Sequence, residues 1–178
     1  TLNAAELDDE LLVIGGGLSL RLDRVSGAWR VSTGSGSTER VLVSAHGWSG
    51  EAPTQRPALD AERFNLRRTR LNLDAPDGAM YLGFGERVGP LDKRGMHLTF
   101  WNTDCFPHHT ETDPLYVSVP FTTVVQDGRA HGVFVDEPWR MEVDVARAHP
   151  TELRWASAGP ELDVYVLAGP RPADVLRR

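Results

Sequence analysis

With a single cysteine, Cys105, the chain has no pair of thiols to form an internal disulfide. Packing and hydrogen bonds must hold the fold, and a reducing, cytoplasmic home is the default. Long apolar runs are missing too. No stretch approaches the eighteen or so apolar residues of a membrane span, and the opening TLNAAELDDE has neither a basic start nor an apolar core. The chain therefore reads as soluble, with no membrane partner. A start at Thr1 without Met points to a processed or excised end. Positive charge is not in excess: the net charge is −6 and the pI lies near 5.5. A general nucleic-acid binder, which needs a concentrated Lys/Arg surface, is excluded. The pairs Arg67, Arg68 and Arg177, Arg178 are too small to alter that and read as solvated faces.

Several chemical motifs are absent as well. There is no G-x-S-x-G elbow; Ser35 in GSG and Ser49 in WSG lack the strand-to-helix setting that a serine nucleophile requires. Gly15, Gly16 and Gly17, like Gly83 and Gly85, miss both the dinucleotide and the phosphate-loop spacing. Cys105, His108 and His109 raise a metal reading, but no second ligand pair stands at structural-zinc spacing, and adjacent histidines on an extended chain point opposite ways. No metal and no cofactor is expected. His46, His97, His131 and His149 are isolated and read as surface or hydrogen-bonded residues.

What is present is punctuation. Seventeen glycines and twelve prolines cut the chain into short apolar runs, and nothing before the last ten residues holds a helical period. A chain of 178 residues, 40% hydrophobic, has material for one core and buries roughly 70% of its unfolded surface. Leu18, Leu20 and Leu22 alternate with polar residues, and Val25 to Gly27 turn the chain toward Trp29 and Val31, which predicts a hairpin. Gly34 to Thr38 reads as a flexible loop, Val41 to Val43 as a strand, and Gly47 to Ala58 as loop. From Arg63 to Leu73 the apolar parity slips, predicting a bulge or bend, and Ala75 to Gly78 reads as a turn. Pro120–Val125 and Gly132–Val135, joined at Asp127 and Gly128, form a second predicted hairpin. Trp139–Val145, Leu153–Ala156 and Leu162–Leu167 supply three more strands. Ten or more short strands with frequent turns specify an all-β fold, two antiparallel sheets packed face to face. Trp29, Trp48, Trp139 and Trp155 are read as core or sheet-edge anchors.

One stretch, Tyr81 to Tyr116, fits neither strand nor helix periodicity and concentrates aromatic, glycine, amide and carboxylate groups. Asp104, Glu111 and Asp113 share it. Paired carboxyls do the work in glycosidases, at about 5 to 5.5 Å in retaining and 6.5 to 9.5 Å in inverting enzymes, but spacing along a chain does not place them. Glu111 reads as a solvated acid. Asp113, before Pro114, reads as bonded to its own turn.

The ordered series F-G-E at 84 to 86, L-D-K-R-G at 91 to 95, W-N-T-D at 101 to 104, D-P-L-Y at 113 to 116, P-F at 120 and 121, G-V-F-V-D at 132 to 136 and A-G-P-x-P-x-D-V at 168 to 175 resembles the N-terminal domain of glycoside hydrolase family 31, the α-glucosidase family. The first eighty residues match only in strand texture. The resemblance implies a galactose-mutarotase-like β-sandwich over residues 1–168 and, over 169–178, the start of a linker helix toward a (β/α)8 barrel. It implies that both catalytic aspartates lie on that barrel, so that no catalytic residue lies in this chain. By the family pattern a sandwich loop reaches the barrel's mouth, and Asp104 hydrogen-bonds an α-glucoside oligosaccharide in the leaving-group subsite. Trp101 would wall that pocket, while Asn102 and Thr103 shape the loop. Glu86, Lys93 and Arg94 fall in shared motifs and are read as ligand contacts or as a buried ion pair supporting the loop.

Three functions follow as expectations: the N-terminal domain of a retaining α-glucosidase, a free-standing carbohydrate-binding module, and a mutarotase-like epimerase with an acid/base pair inside the sandwich. If a barrel covers the domain, its removal exposes an apolar face, and a homo-oligomer or poor solubility is expected of the fragment.

Overall fold

The computed structural model describes residues 3–7, 10–15, 17–45, 69–159 and 161–177. Among them are thirteen strands: β1 (Asn3–Leu7), β2 (Glu10–Gly15), β3 (Leu18–Asp23), β4 (Trp29–Thr33), β5 (Arg40–Ala45), β6 (Thr69–Asp74), β7 (Met80–Gly85), β8 (His97–Phe100), β9 (Ser118–Gln126), β10 (Arg129–Asp136), β11 (Met141–Val145), β12 (Glu152–Ser157) and β13 (Asp163–Gly169). They form a nine-stranded sheet in the order β1-β2-β3-β4-β5-β6-β12-β11-β8 and a four-stranded sheet in the order β13-β10-β9-β7, every pair antiparallel. The all-β sandwich expected from the sequence is the fold found. His46, Trp48, Ser49, the loop over 47–58, Arg67 and Arg68, and most of the parity slip expected between 63 and 73 lie outside the described residues.

Alternation explains most of the core. Leu153, Trp155 and Ser157 on β12 and Met141, Val143 and Val145 on β11 are buried while their neighbours on the strand are less so, the signature of strands with one face inward; Val133 and Val135 on β10 are buried with them. The two predicted hairpins form, β3 with β4 and β9 with β10. At the first, the Asp23 carboxylate accepts the backbone N–H groups of Val25 and Ser26 at 2.9 and 2.8 Å, closing the turn. Gly34 to Thr38, expected to be flexible, holds a single 3-10 turn, because the Thr38 backbone N–H and hydroxyl both donate to the Ser35 carbonyl. The predicted strand from Trp139 begins at Met141, leaving Trp139 in the preceding loop.

Strand β7 contains the one irregularity that the site depends on. Its register against β9 shifts between Gly83 and Gly85, and Gly83, Phe84 and Gly85 all have positive φ. Strict alternation from Tyr81 would send Gly83 inward; the bulge sends Phe84 inward instead, fully buried. Phe84 then meets Trp155 at 5.8 Å and Phe100 at 6.2 Å between ring centroids, and Phe100 stacks on Trp155 at 5.3 Å. This aromatic cluster ties the small sheet to the large one. Only glycine fits beside it: a Cβ on Gly85 would lie 2.6 Å from the Val119 nitrogen and 2.7 Å from the Val117 oxygen.

The tail forms one turn of helix, α1 (Pro172–Val175), with Pro172 at its start and Arg171 clamped onto Asp174 through Nε and Nη2, both at 2.9 Å. Val175 is buried over β10 and β13, where Gly132 and Gly169 leave room for its methyl groups.

Two predictions follow from these elements. Gly85→Ala meets backbone on two sides and forces an L-residue to positive φ, so it should lower stability by about 3 kcal/mol or more, whereas Gly95→Ala, strained but in open space, costs about 1–2 kcal/mol. Urea midpoints of the two variants check the difference. His131, facing the core beside Arg40, is pushed down to about 4 by burial and by that neighbouring charge. The unfolded chain takes up this proton first, so stability is complete above pH 6.5 and is lost as pH falls from there toward 4, by up to about 3 kcal/mol. His131→Gln should flatten that part of the stability–pH curve.

Candidate functional site

The segment 101–117 leaves β8 in the large sheet and returns as β9 in the small one. It spans the end of the sandwich, and its two arms must be joined for it to hold a shape. Most of its internal bonds do that. Thr103 N–H donates to the Leu115 carbonyl at 3.0 Å, its hydroxyl to the Trp101 carbonyl at 2.7 Å, and Ser118 N–H to Asn102 Oδ1 at 2.8 Å. Glu86 N–H donates to the Val117 carbonyl at 3.0 Å and Val117 N–H to Glu86 Oε2 at 3.3 Å, carrying the β7–β9 pairing into the returning arm.

Beneath the loop lies an ion pair. Arg87 Nη1 donates to Asp113 Oδ1, and the Arg87 side chain is only 2% exposed. Arg87 also donates from Nε to the Phe84 carbonyl at 2.9 Å and lies over the Phe100 ring at 4.7 Å. Asp113 Oδ2 accepts the Thr99 N–H at 2.6 Å. One carboxylate thus binds the returning arm to β8 and to the segment after β7. Burial holds the Arg87 guanidinium below its ordinary value, and Asp113 works against that shift. The expectation that Asp113 bonds its own turn is corrected: a guanidinium 26 residues away outcompetes the local backbone. Asp113 is therefore not a free carboxyl that could pair with Asp104 or Glu111.

Lys93 and Arg94 play structural parts. Lys93, buried, donates from Nζ to the carbonyls of Val88 and Pro90; burial first, and Arg87 second, lower its pKa. Arg94 donates to the carbonyls of Pro76 at 3.1 Å and Pro150 at 2.8 Å. Asp92 accepts the N–H groups of Tyr81 and Arg94 at 2.9 and 3.0 Å, so L-D-K-R-G finishes the outer edge of β7. The ion pair foreseen for Glu86, Lys93 or Arg94 is made by Arg87 and Asp113 instead.

Asp104 differs from its neighbours. It is exposed on the outgoing arm, and its carboxylate has no hydrogen bond or ion pair among the described residues. Tyr116 donates to the Cys105 carbonyl at 2.7 Å. Partial desolvation, with Asp104 next, raises the Tyr116 pKa, which keeps the phenol protonated as that donor. Phe106, 87% exposed, stands edge-on to His108, and His108 edge-on to Tyr116, at 6.4 and 5.7 Å. His108 Nδ1 is engaged with the Cys105 carbonyl at 2.8 Å, and among the described residues no three His, Cys, Asp or Glu side chains gather as metal ligands.

Sequence reasoning missed a groove at the foot of the loop. Trp101 and Asn102 face Glu137, Pro138 and Trp139 of the β10–β11 connection across about 300 Å³, floored by Phe100, Pro120 and Met141. Trp101 is 52% and Trp139 47% exposed; of the tryptophans expected as core or sheet-edge anchors, Trp155 lies in the core and Trp139 does not. The one cue was P-W-R after a strand rich in β-branched residues.

The sequence profile of the glycosyl hydrolase 31 N-terminal galactose mutarotase-like domain matches residues 6–144. The chain belongs to that family. Alpha-glucosidase 2 of Bacillus thermoamyloliquefaciens is 46% identical over 99 residues, covering 55% of this chain and 12% of that enzyme. An alpha-xylosidase of Emericella nidulans is 28% identical over 159 residues, covering 85% of this chain and 20% of the relative. The fold superposes on the family 31 dextranase of Flavobacterium johnsoniae with a TM-score of 0.78 at 19% identity, over 99% of this chain and 20% of that one. This family 31 domain thus spans a fifth or less of each of these three relatives.

The buried pair gives a direct test. Asp113→Ala strands a shielded guanidinium and should cost about 3–5 kcal/mol, while Glu111→Ala, an exposed acid of the same loop, should stay within about 0.5 kcal/mol. Equal urea midpoints for the two variants would remove the loop-clamping role.

Proposed function

We propose that this chain is the N-terminal sandwich of a retaining α-glucosidase, hydrolysing O-glycosidic bonds of α-glucoside oligosaccharides with two aspartates on a (β/α)8 barrel in the longer protein. The sandwich contributes no catalytic residue. It lends the loop 101–117, with Asp104 accepting hydroxyls of the sugar in the leaving-group subsite, Trp101 walling the pocket, and Asn102 and Thr103 holding the loop's shape. A reducing, cytoplasmic setting belongs to the same proposal, on the strength of the lone Cys105.

The observation that carries the reading is the contrast within the loop. Asn102, Thr103, Asp113 and Tyr116 use their polar groups internally, whereas the Asp104 carboxylate is exposed and unengaged among the described residues. An ionised carboxylate on a braced loop accepts two sugar hydroxyls, each charge-assisted bond contributing about 1.5–3 kcal/mol. Binding energy of this kind, remote from the bond that breaks, is available to the transition state. The names of two relatives, an alpha-glucosidase and an alpha-xylosidase, support the same class of reaction.

Among the described residues, the space by His131 gives a mutarotase-like epimerase no support. The space by His131 and Asp74 between the sheets, bounded by Tyr81, Val124, Val133 and Leu153, amounts to about 20 Å³, whereas ligand pockets start at about 300 Å³.

In the full-length protein, Asp104→Ala should lower kcat/KM for an α-linked disaccharide by about 10- to 100-fold; unchanged kinetics would remove the assignment. The 178-residue chain alone should show no turnover of an aryl α-glucoside above background, and clear turnover would overturn the division of labour.

A further inference from the structure

The groove between Trp101 and Trp139 is a second place on this domain built to take a sugar ring. We infer that it binds one hexopyranosyl unit of an oligosaccharide, beyond the unit that Asp104 contacts. The inference goes further than the Asp104 reading and rests on it only in taking α-glucosides as the ligand class.

The aromatic walls come first. Two tryptophans, each about half exposed, line one groove, although a side chain of that size is ordinarily drawn into the core, as Trp155 is. Trp139 is fixed in place. Its backbone N–H donates to Glu137 Oε1 at 3.1 Å, and its indole lies so close to Gly159 that a Cβ there would come within 2.5 Å of Trp139 Cδ1 and 3.0 Å of Glu137 Oε1. Gly159 is itself held, its carbonyl by the Thr69 hydroxyl at 2.7 Å and its N–H by the Ser157 hydroxyl at 2.9 Å. An exposed aromatic face on a rigid support loses little entropy when a flat, weakly polar surface stacks on it.

The polar groups come second. Glu137 uses Oε1 locally, and Oε2 has no partner among the described residues. Asn102, which lines the groove, spends Oδ1 on the Ser118 N–H and keeps its amide donors free of any partner among the described residues. Planar acceptors and donors around aromatic faces match a pyranose, which offers an apolar ring face and equatorial hydroxyls at its rim. They do not match a phosphate or another anion, since the groove's one charged side chain, Glu137, is acidic. The volume of about 300 Å³ sits at the lower bound for ligand pockets and suits a single ring rather than a chain. Because Trp101 and Asn102 belong to the same outgoing arm as Asp104, one oligosaccharide can reach both places.

The test uses full-length protein and substrates of increasing length. Trp139→Ala should leave kcat/KM for an aryl α-glucoside within two-fold and raise KM for an α-linked tetrasaccharide about ten-fold with kcat unchanged, and Trp139→Phe should restore most of the loss. Equal effects on short and long substrates, or none on either, would overturn the groove's role. Should the protein hydrolyse no α-glucoside, the proposed function falls while the groove is still tested by electrophoresis through gels containing glycogen or dextran. Retardation of the wild type that Trp139→Ala abolishes supports the site. Retardation that Trp139→Ala does not change, or no retardation in either gel, overturns it.

Discussion

The Arg87–Asp113 ion pair is the constraint on which the exposed end of this sandwich depends. A guanidinium almost wholly removed from water is costly unless its charge is met, and here a carboxylate 26 residues away meets it. That carboxylate sits on the returning arm of a loop, and its second oxygen takes a backbone N–H of the strand from which the loop departs. Burying one charge thus closes a chain excursion of seventeen residues between two sheets. The remaining guanidinium nitrogen, Nη2, is buried without a partner among the described residues. A structure that tolerates this is using the pair for position more than for stability.

Arg87 reaches its place because β7 breaks its own alternation. Of the three consecutive residues at positive φ, the two glycines take it freely and Phe84 bears the strain. What offsets the strain is the fully buried Phe84 ring between Phe100 and Trp155, together with a Phe84 carbonyl turned to accept from Arg87. Bulge, aromatic cluster and ion pair form one mechanical unit, and the loop stands on it.

This unit explains what could be read from the residues alone. After Ser118 the second hairpin is visible as two apolar runs joined by the Asp127–Gly128 turn, and β11 and β12 are visible by clean alternation. β7 is hidden by its bulge, and the four residues of β8 are too few for a period to show. β2 is a short continuous apolar run, which periodicity does not assign. Asp113 was misjudged because a local rule about aspartate before proline was overridden by a tertiary partner. Asp104 was singled out from a motif rather than from spacing. The groove at Trp139 had only P-W-R as a cue, since the glycine that seats the indole is twenty residues away on the far side of β12.

The distribution of satisfied and unsatisfied groups then separates scaffold from surface. Lys93 and Arg94, the strongest charges of the shared motif, are bonded to backbone carbonyls and have little left for a ligand. Among the described residues, Asp104 and Glu137 Oε2 have nothing local to bond, and under the proposed roles a neighbouring domain or a sugar would exclude water from them. In open solvent an exposed carboxylate is well hydrated and contributes almost nothing to folding. Once water is displaced, the same charge bonds in a lower dielectric, where its interactions strengthen several-fold. Under the proposed role, that is why a rigid sandwich holds its acid on a braced but projecting loop: the carboxylate is cheap to keep exposed, and its binding strength develops only when the rest of the site closes over it.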